Sequence, residues 1–251
     1  MKSTQRGFTL VEIAIVLVII GLLLGGILKG QEMITQAKIK NVIADMTGIS
    51  AAMYGYQDRY RSLPGDDKNA GRWTGAIAGN GDGIISGKYL STTAADESVA
   101  FWDHLRKAGF VSGTGTDQPF NAVSGKMGVQ TGNALTPPGG VLGTPGTPPT
   151  VPIASLILCS ANLPDKIAIS VDSQTDDGGG TSGTVRAQKQ TTGPNPTDIN
   201  AAADAYIEDG VSTYVVCRTL KAETPLQPRS SRSSAAASAS GVPSSTRTSP
   251  D

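Results

Sequence analysis

Residues 8–28 form an unbroken apolar run in which only Thr9 and Glu12 carry polar side chains. As a helix such a run spans about 32 Å, close to the hydrocarbon thickness of a bilayer. Lys2 and Arg6 precede it, so the positive-inside rule keeps the N-terminus in the cytoplasm and sends the remainder across the membrane. A secretory signal has an apolar region of only about 7–15 residues and ends in a small-residue cleavage site. This run is longer, and no A-x-A sequence follows it. Glu12 is the discordant residue. A charged side chain near the bilayer centre costs on the order of 3 kcal/mol, somewhat less near the edge, so a carboxylate there requires a partner.

The segment Gly7-Phe8-Thr9-Leu10-Val11-Glu12 resembles the class III signal of type IV pilins and type II secretion pseudopilins. The resemblance implies cleavage by a prepilin peptidase between Gly7 and Phe8, with Phe8 N-methylated as the new first residue. It also implies that Glu12 meets the N-terminal amine of a neighbouring subunit. Opposite charges about 4 Å apart at an effective dielectric near 20 gain about 4 kcal/mol, comparable with the burial cost, so the contact sets register more than it adds stability. Many pilins carry a proline about two-thirds along this segment. Here Gly21, Gly25 and Gly26 stand instead, which soften a helix or let neighbours pack closely.

Composition excludes much else. The chain has 21 Lys plus Arg against 21 Asp plus Glu, so no net charge steers it to nucleic acid. One histidine and two cysteines fall short of the four ligands of a structural zinc site. No nucleophile elbow surrounds His104, and no catalytic residue is expected.

After Lys29, positions at Ile39, Ile43, Met46, Ile49 or Ser50, Met53, Tyr56 or Gln57, and Tyr60 step by three or four, predicting one helix from residue 8 to about 61, ended by Leu63-Pro64-Gly65. A second helix is expected over 95–108. Thr93 and Asp96 give it a capping-box-like start, Gly109 follows its end, and His104 lies beside its apolar stripe as a surface or boundary residue. Residues 112–150 are rich in Gly and Pro and read as loop. Strands are expected at 151–159, 185–188 and 214–218, while 166–171 fits either helix or strand.

Two acidic turns stand out. Asn80, Asp82, Gly83 and Ile84 match the centre of an EF-hand-type loop, with Ile84 offering a carbonyl, but Ala78 and Tyr89 occupy the first and twelfth positions. Asp66 or Asp67 could complete a structural calcium cage, and some pseudopilins carry calcium in a loop; a plain Asn-Gly-Asp-Gly turn is the alternative. Asp172, Asp176 and Asp177 form a second turn, read as a solvated loop with a second oxygen-ligand cluster as the alternative. Cys159 and Cys217 sit in apolar strand-like runs of an exported domain, which predicts a disulfide worth roughly 4 kcal/mol in the chain-entropy model.

The expected organisation is a leader at 1–7, a membrane and assembly helix at 8–28 and its amphipathic continuation at 29–61. An exported domain follows at 62–220, then a disordered serine-rich tail at 221–251. The fold expected is α+β, a long N-terminal helix packed on a small antiparallel sheet with long loops, as in pilins. The function implied is a structural, non-enzymatic subunit of a type IV pilus-like filament. It would be an inner-membrane precursor and later a periplasmic or surface filament. Its partners would be copies of itself, other pilin-like subunits, the peptidase, the inner-membrane assembly machinery and the membrane itself. A type II secretion pseudopilin is the alternative, and a membrane-anchored enzyme or binding protein the rival from another class.

Overall fold

The computed structural model describes residues 9–133, 140–146 and 149–220. Helix α1 runs Leu10–Tyr60, about 75 Å long. Thr9 caps its start, and Arg61 closes its end in the left-handed region at φ 56°. Every side chain from Leu10 to Lys29 is exposed, whereas Ile39, Val42, Met46, Ile49, Met53 and Tyr56 are buried. One helix therefore has two environments. Its first half has no protein partner in the subunit, and its second half forms the spine of the domain.

Strands β1 (Met127–Thr131), β2 (Leu156–Pro164), β3 (Val185–Lys189) and β4 (Thr213–Thr219) form an antiparallel sheet in the order β1-β2-β4-β3. The sheet is covered on both faces. Leu156, Leu158, Tyr214 and Val216 join the core under α1, α2 (Glu97–Lys107) and α3 (Asp165–Thr175). The intervening Ile157, Cys159, Val215 and Cys217 pack against Tyr89, Leu142 and Ile153 of the loops on the other side. Burial on both faces explains why Leu156-Ile157-Leu158-Cys159 and Tyr214-Val215-Val216-Cys217 read as continuous apolar runs. Cys159 and Cys217 face each other across β2 and β4 and form the disulfide, both fully buried.

The α+β, pilin-like arrangement expected from the sequence is therefore present, with three local corrections and one open assignment resolved. The stretch read as loop at 112–150 contains β1, whose Gly128 fits against the backbone of Tyr89. The strand expected at 151–159 begins later, at Leu156, and continues to Pro164 through a register shift between Ser160 and Leu163. The ambiguous 166–171 segment is helix: Pro164 sits at its N-cap, and Ile167, Ala168 and Val171 turn inward together. The second helix starts at Glu97, because the Asp96 carboxylate is engaged by the Ser91 hydroxyl rather than capping the helix as part of a box with Thr93.

Close approach fixes two glycines. A Cβ on Gly55 would lie 2.7 Å from the Phe110 ring, and Gly65, at φ 89°, lets the chain leave α1 against the carbonyl of Glu97. The serine-rich tail expected at 221–251 lies outside the described residues.

Candidate functional site

The first candidate site is the start of α1. Thr9 Oγ1 accepts from the Glu12 amide at 3.3 Å. The Glu12 carboxylate accepts from the Thr9 amide and from the Thr9 hydroxyl, each at 2.8 Å. This reciprocal capping box satisfies amides that the first helical turn leaves without partners. The signal, Thr-x-x-Glu, stands in the sequence but is hidden by the apolar run around it. Gly7 and Phe8 lie outside the described residues. From Leu10 onward the helix is long and apolar enough to cross a membrane, and its most apolar stretch is wholly unburied.

The second candidate site is the acidic loop cluster beyond α1. Of the two adjacent aspartates offered as alternative ligands, only one turns its carboxylate to the loop. The Asp67 carboxylate accepts from the Tyr56 hydroxyl at 2.7 Å, Arg72 Nη1 at 2.7 Å and the Asn69 amide at 2.8 Å. Burial pushes the Asp67 carboxyl up, but these donors outweigh it and hold it below the usual carboxylate range. Arg72 also lies 4.7 Å from the ring centroids of Tyr60 and Trp73, so the Asp67 carboxylate anchors an aromatic cluster at the end of α1, and only its backbone carbonyl meets the loop, accepting from the Gly79 amide at 3.2 Å.

Asp66 turns the other way. Its Oδ1 accepts from the amides of Gly81 at 2.5 Å and Asp82 at 3.2 Å, and its Oδ2 accepts from Gly83 at 2.7 Å. Asn80 donates its side-chain amide to Asp82 at 2.9 Å, and the half-buried Ile84 donates its backbone amide to the same carboxylate at 2.8 Å. Glu97, absent from the sequence reading, closes the loop by accepting from the amides of Asn80 at 3.1 Å and Ser86 at 2.9 Å.

Oxygens of Asp66, Asp82 and Glu97 lie within 4.8 Å of one another and can hold a metal ion. Asp66 and Glu97 are buried, and among the described residues no Lys or Arg pairs with any of the three within 4.0 Å, although Lys68 passes over Gly81. Burial, opposed by the Gly83 and Gly81 amides and reinforced by the charges of Glu97 and Asp82, raises the Asp66 carboxyl above its ordinary range. Hard, all-oxygen donors carrying excess negative charge fit a divalent cation such as calcium.

Two further groups behave as packing. His104 is not at the surface as expected but fully buried: Nδ1 accepts from the Gly65 amide and Nε2 meets the Ile77 carbonyl, both at 2.8 Å. That pairing fixes a neutral imidazole, and burial pushes its pKa down. In the second acidic turn, Asp172 binds the Tyr206 hydroxyl at 2.9 Å and the Gly178 amide at 3.1 Å, while Asp176 binds the Thr184 and Val185 amides. Asp172, Asp176 and Asp177 are also close enough to share a metal, but this turn, unlike the first, leaves two of its carboxylates outside the core.

Residues 2–28 match the prokaryotic N-terminal methylation motif. Neither curated proteins nor solved structures give a match to the chain.

Proposed function

We propose that this chain, whose residues 2–28 carry the class III prepilin signal of type IV pilins and pseudopilins, is a structural subunit of a type IV pilus-like filament. The observation that carries the reading is the split of α1 into an uncovered apolar half and a half packed under a domain. A free apolar helix has two suitable surroundings, lipid before assembly and the helices of other subunits after it. The leader at 1–7 is removed by prepilin peptidase after Gly7, and Phe8 becomes the methylated N-terminus. Residues 8–28 span the inner membrane with the N-terminus cytoplasmic, 29–61 link them to the exported domain at 62–220, and 221–251 form a tail. On extraction, Glu12 meets the Phe8 amine of a neighbouring subunit, and the filament lies in the periplasm or at the cell surface. The role is structural rather than catalytic.

A second reading, a pseudopilus subunit of type II secretion, is favoured by the carboxylates of Asp66, Asp82 and Glu97, which fit a structural calcium of the kind some pseudopilins carry. Electron microscopy of filaments sheared from cells, with mass spectrometry of their subunits, tests the proposal. Surface filaments built of a chain beginning at N-methylated Phe8 support the pilus. The same processed chain retained in the periplasm supports the pseudopilus. A chain that keeps Met1 or is cut beyond Leu28 rejects both.

A further inference from the structure

The apolar run of α1 ends at Leu28, and the folded domain reaches down almost to that point. Gly30 and Thr35 are half-buried. A cleft lined by Leu28, Glu32, Thr35, Lys166, Ile169 and Glu208 runs between α1 and the beginning of α3. The cleft climbs the helix from Leu28 to Ile39, about 16 Å, and the polar layer of each leaflet is about 5–8 Å deep. With residues 8–28 spanning the bilayer, the lower half of the cleft that Lys166 and Glu208 share with Leu28 stands at headgroup level.

Glu208 belongs to the turn between β3 and β4, and its neighbours are unusual for a water-facing turn. Ile207 is 50% exposed and Val211 85% exposed. The turn is firmly held nonetheless. The Ile207 amide donates to the Tyr214 hydroxyl at 2.8 Å, the Gly210 amide to Asp165 at 2.6 Å, and the amides of Val211 and Ser212 to Asp209 at 2.9 and 2.7 Å. Two apolar side chains are thus fixed outward on a rigid support, where they cannot fold back into the core. The charges beside them are already engaged: Lys166 lies 3.9 Å from Glu208, and Asp209 holds the turn.

We propose that the 207–212 turn is a membrane-interface contact, placing Ile207 and Val211 in the headgroup–acyl boundary of the leaflet that α1 leaves. The partner is the lipid interface itself, reached through apolar contact and without preference for anionic lipid, because Asp165, Glu208 and Asp209 outnumber Lys166 around the turn. The contact supplies a second point of attachment beside the helix and fixes the rotation of the domain on the membrane. This inference rests on the reading of 8–28 as a span.

The test uses the full chain reconstituted in vesicles of phosphatidylethanolamine and phosphatidylglycerol, with an environment-sensitive fluorophore on a single introduced cysteine. Cys159 and Cys217 are joined and the described chain has no free cysteine, so labelling is confined to the new site. Three variants are compared: Leu17→Cys in the span, Val211→Cys in the turn, and Val151→Cys, 70% exposed in the loop that precedes β2. The expected result is a blue-shifted emission at 17 and 211 but not at 151. The label at 211 should be quenched by lipids carrying a nitroxide near the headgroup, to at least the same extent when phosphatidylcholine replaces phosphatidylglycerol. A dry 17 with a wet 211 overturns the inference and leaves the span standing. A wet 17 overturns the span and the inference with it. Blue shifts at both 151 and 211, or a dry 211 that lipid nitroxide does not quench, assign the surface to non-specific adsorption or to another subunit and also overturn the inference.

Discussion

The Glu12 carboxylate closes on Thr9, so that two backbone amides of the helix start are tied by one residue pair at 2.8 and 3.3 Å. Glu12 thus has a partner within its subunit before any neighbour arrives, and the assembly contact must compete with a local cap. Glutamine also serves at the third position of a capping box. Glu12→Gln should therefore keep the helix start while losing the charge, and Glu12→Ala should lose both. Both precursors should remain stable in the membrane with a folded domain, and both should form few or no filaments when no wild-type subunit is present. Electron microscopy supplies the count. Normal filaments from Glu12→Gln with none from Glu12→Ala would assign the role to the cap rather than the charge.

In the proposed processing, Gly7 is the residue before the cut. Gly7→Val should leave an uncut precursor in the inner membrane, unable to assemble. Its mass by intact-protein spectrometry should include the leader. A variant that still yields N-methylated Phe8 would remove Gly7 from the cleavage determinant.

The disulfide joins the two central strands, its cysteines 58 positions apart in sequence. Replacing both cysteines with alanine should lower the stability of the folded domain by about 2–5 kcal/mol, measured by denaturant unfolding of the full chain in detergent. Non-reducing peptide mapping should recover Cys159 linked to Cys217, and complete alkylation of both without reductant would be incompatible with the fold described above.

Metal dependence follows from Asp66, whose raised carboxyl pKa marks a charge that is unfavourable in the metal-free fold. For a raised carboxyl the folded state binds the proton more tightly than the unfolded state. The metal-free protein is thus penalised above the folded pKa and relieved as pH falls through it. Calcium should remove the same penalty at neutral pH, raising the melting temperature. Asp66→Asn or Glu97→Gln should abolish most of that rise. An unchanged melting temperature at millimolar calcium in the unmodified protein would leave the cluster as a plain hydrogen-bonded turn.

His104 predicts the opposite pH trend. Its pKa is lowered in the fold, so the unfolded chain takes up the proton first. The stabilisation is complete above the unfolded value of about 6.5 and is lost as pH drops from there toward the folded value. His104→Gln should flatten this part of the stability profile. It should also destabilise by about 1–3 kcal/mol, through the Gly65 amide left without its acceptor.

The sequence made the long helix and its two environments readable because apolar residues recur at 3.6-residue spacing after an unbroken run. The central strands were readable through Leu156-Ile157-Leu158-Cys159 and Tyr214-Val215-Val216-Cys217. Strand β1 was not, because Gln130 is fully buried through a bond from the Tyr89 amide to its side chain, and Gly128 is shaped by backbone contact; neither looks like a strand residue. Asp66 and Asp82 were readable as a loop. Glu97 was not, since its place there depends on where α2 docks. The different fates of Asp66 and Asp67 come from Tyr56 and Arg72, two partners that only the folded end of α1 brings together.

The bond between Cys159 and Cys217 has a mechanical consequence for a subunit under tension. Everything between those residues, including α3 and β3, is enclosed in a covalent loop that a pulling force cannot draw out. At about 3.4 Å per extended residue, roughly 200 Å of contour length is withheld from any stretched chain. A filament built of such subunits would transmit load along its helices without its domains unravelling through the sheet. Single-molecule stretching should show an unfolding length that grows by that amount only after reduction.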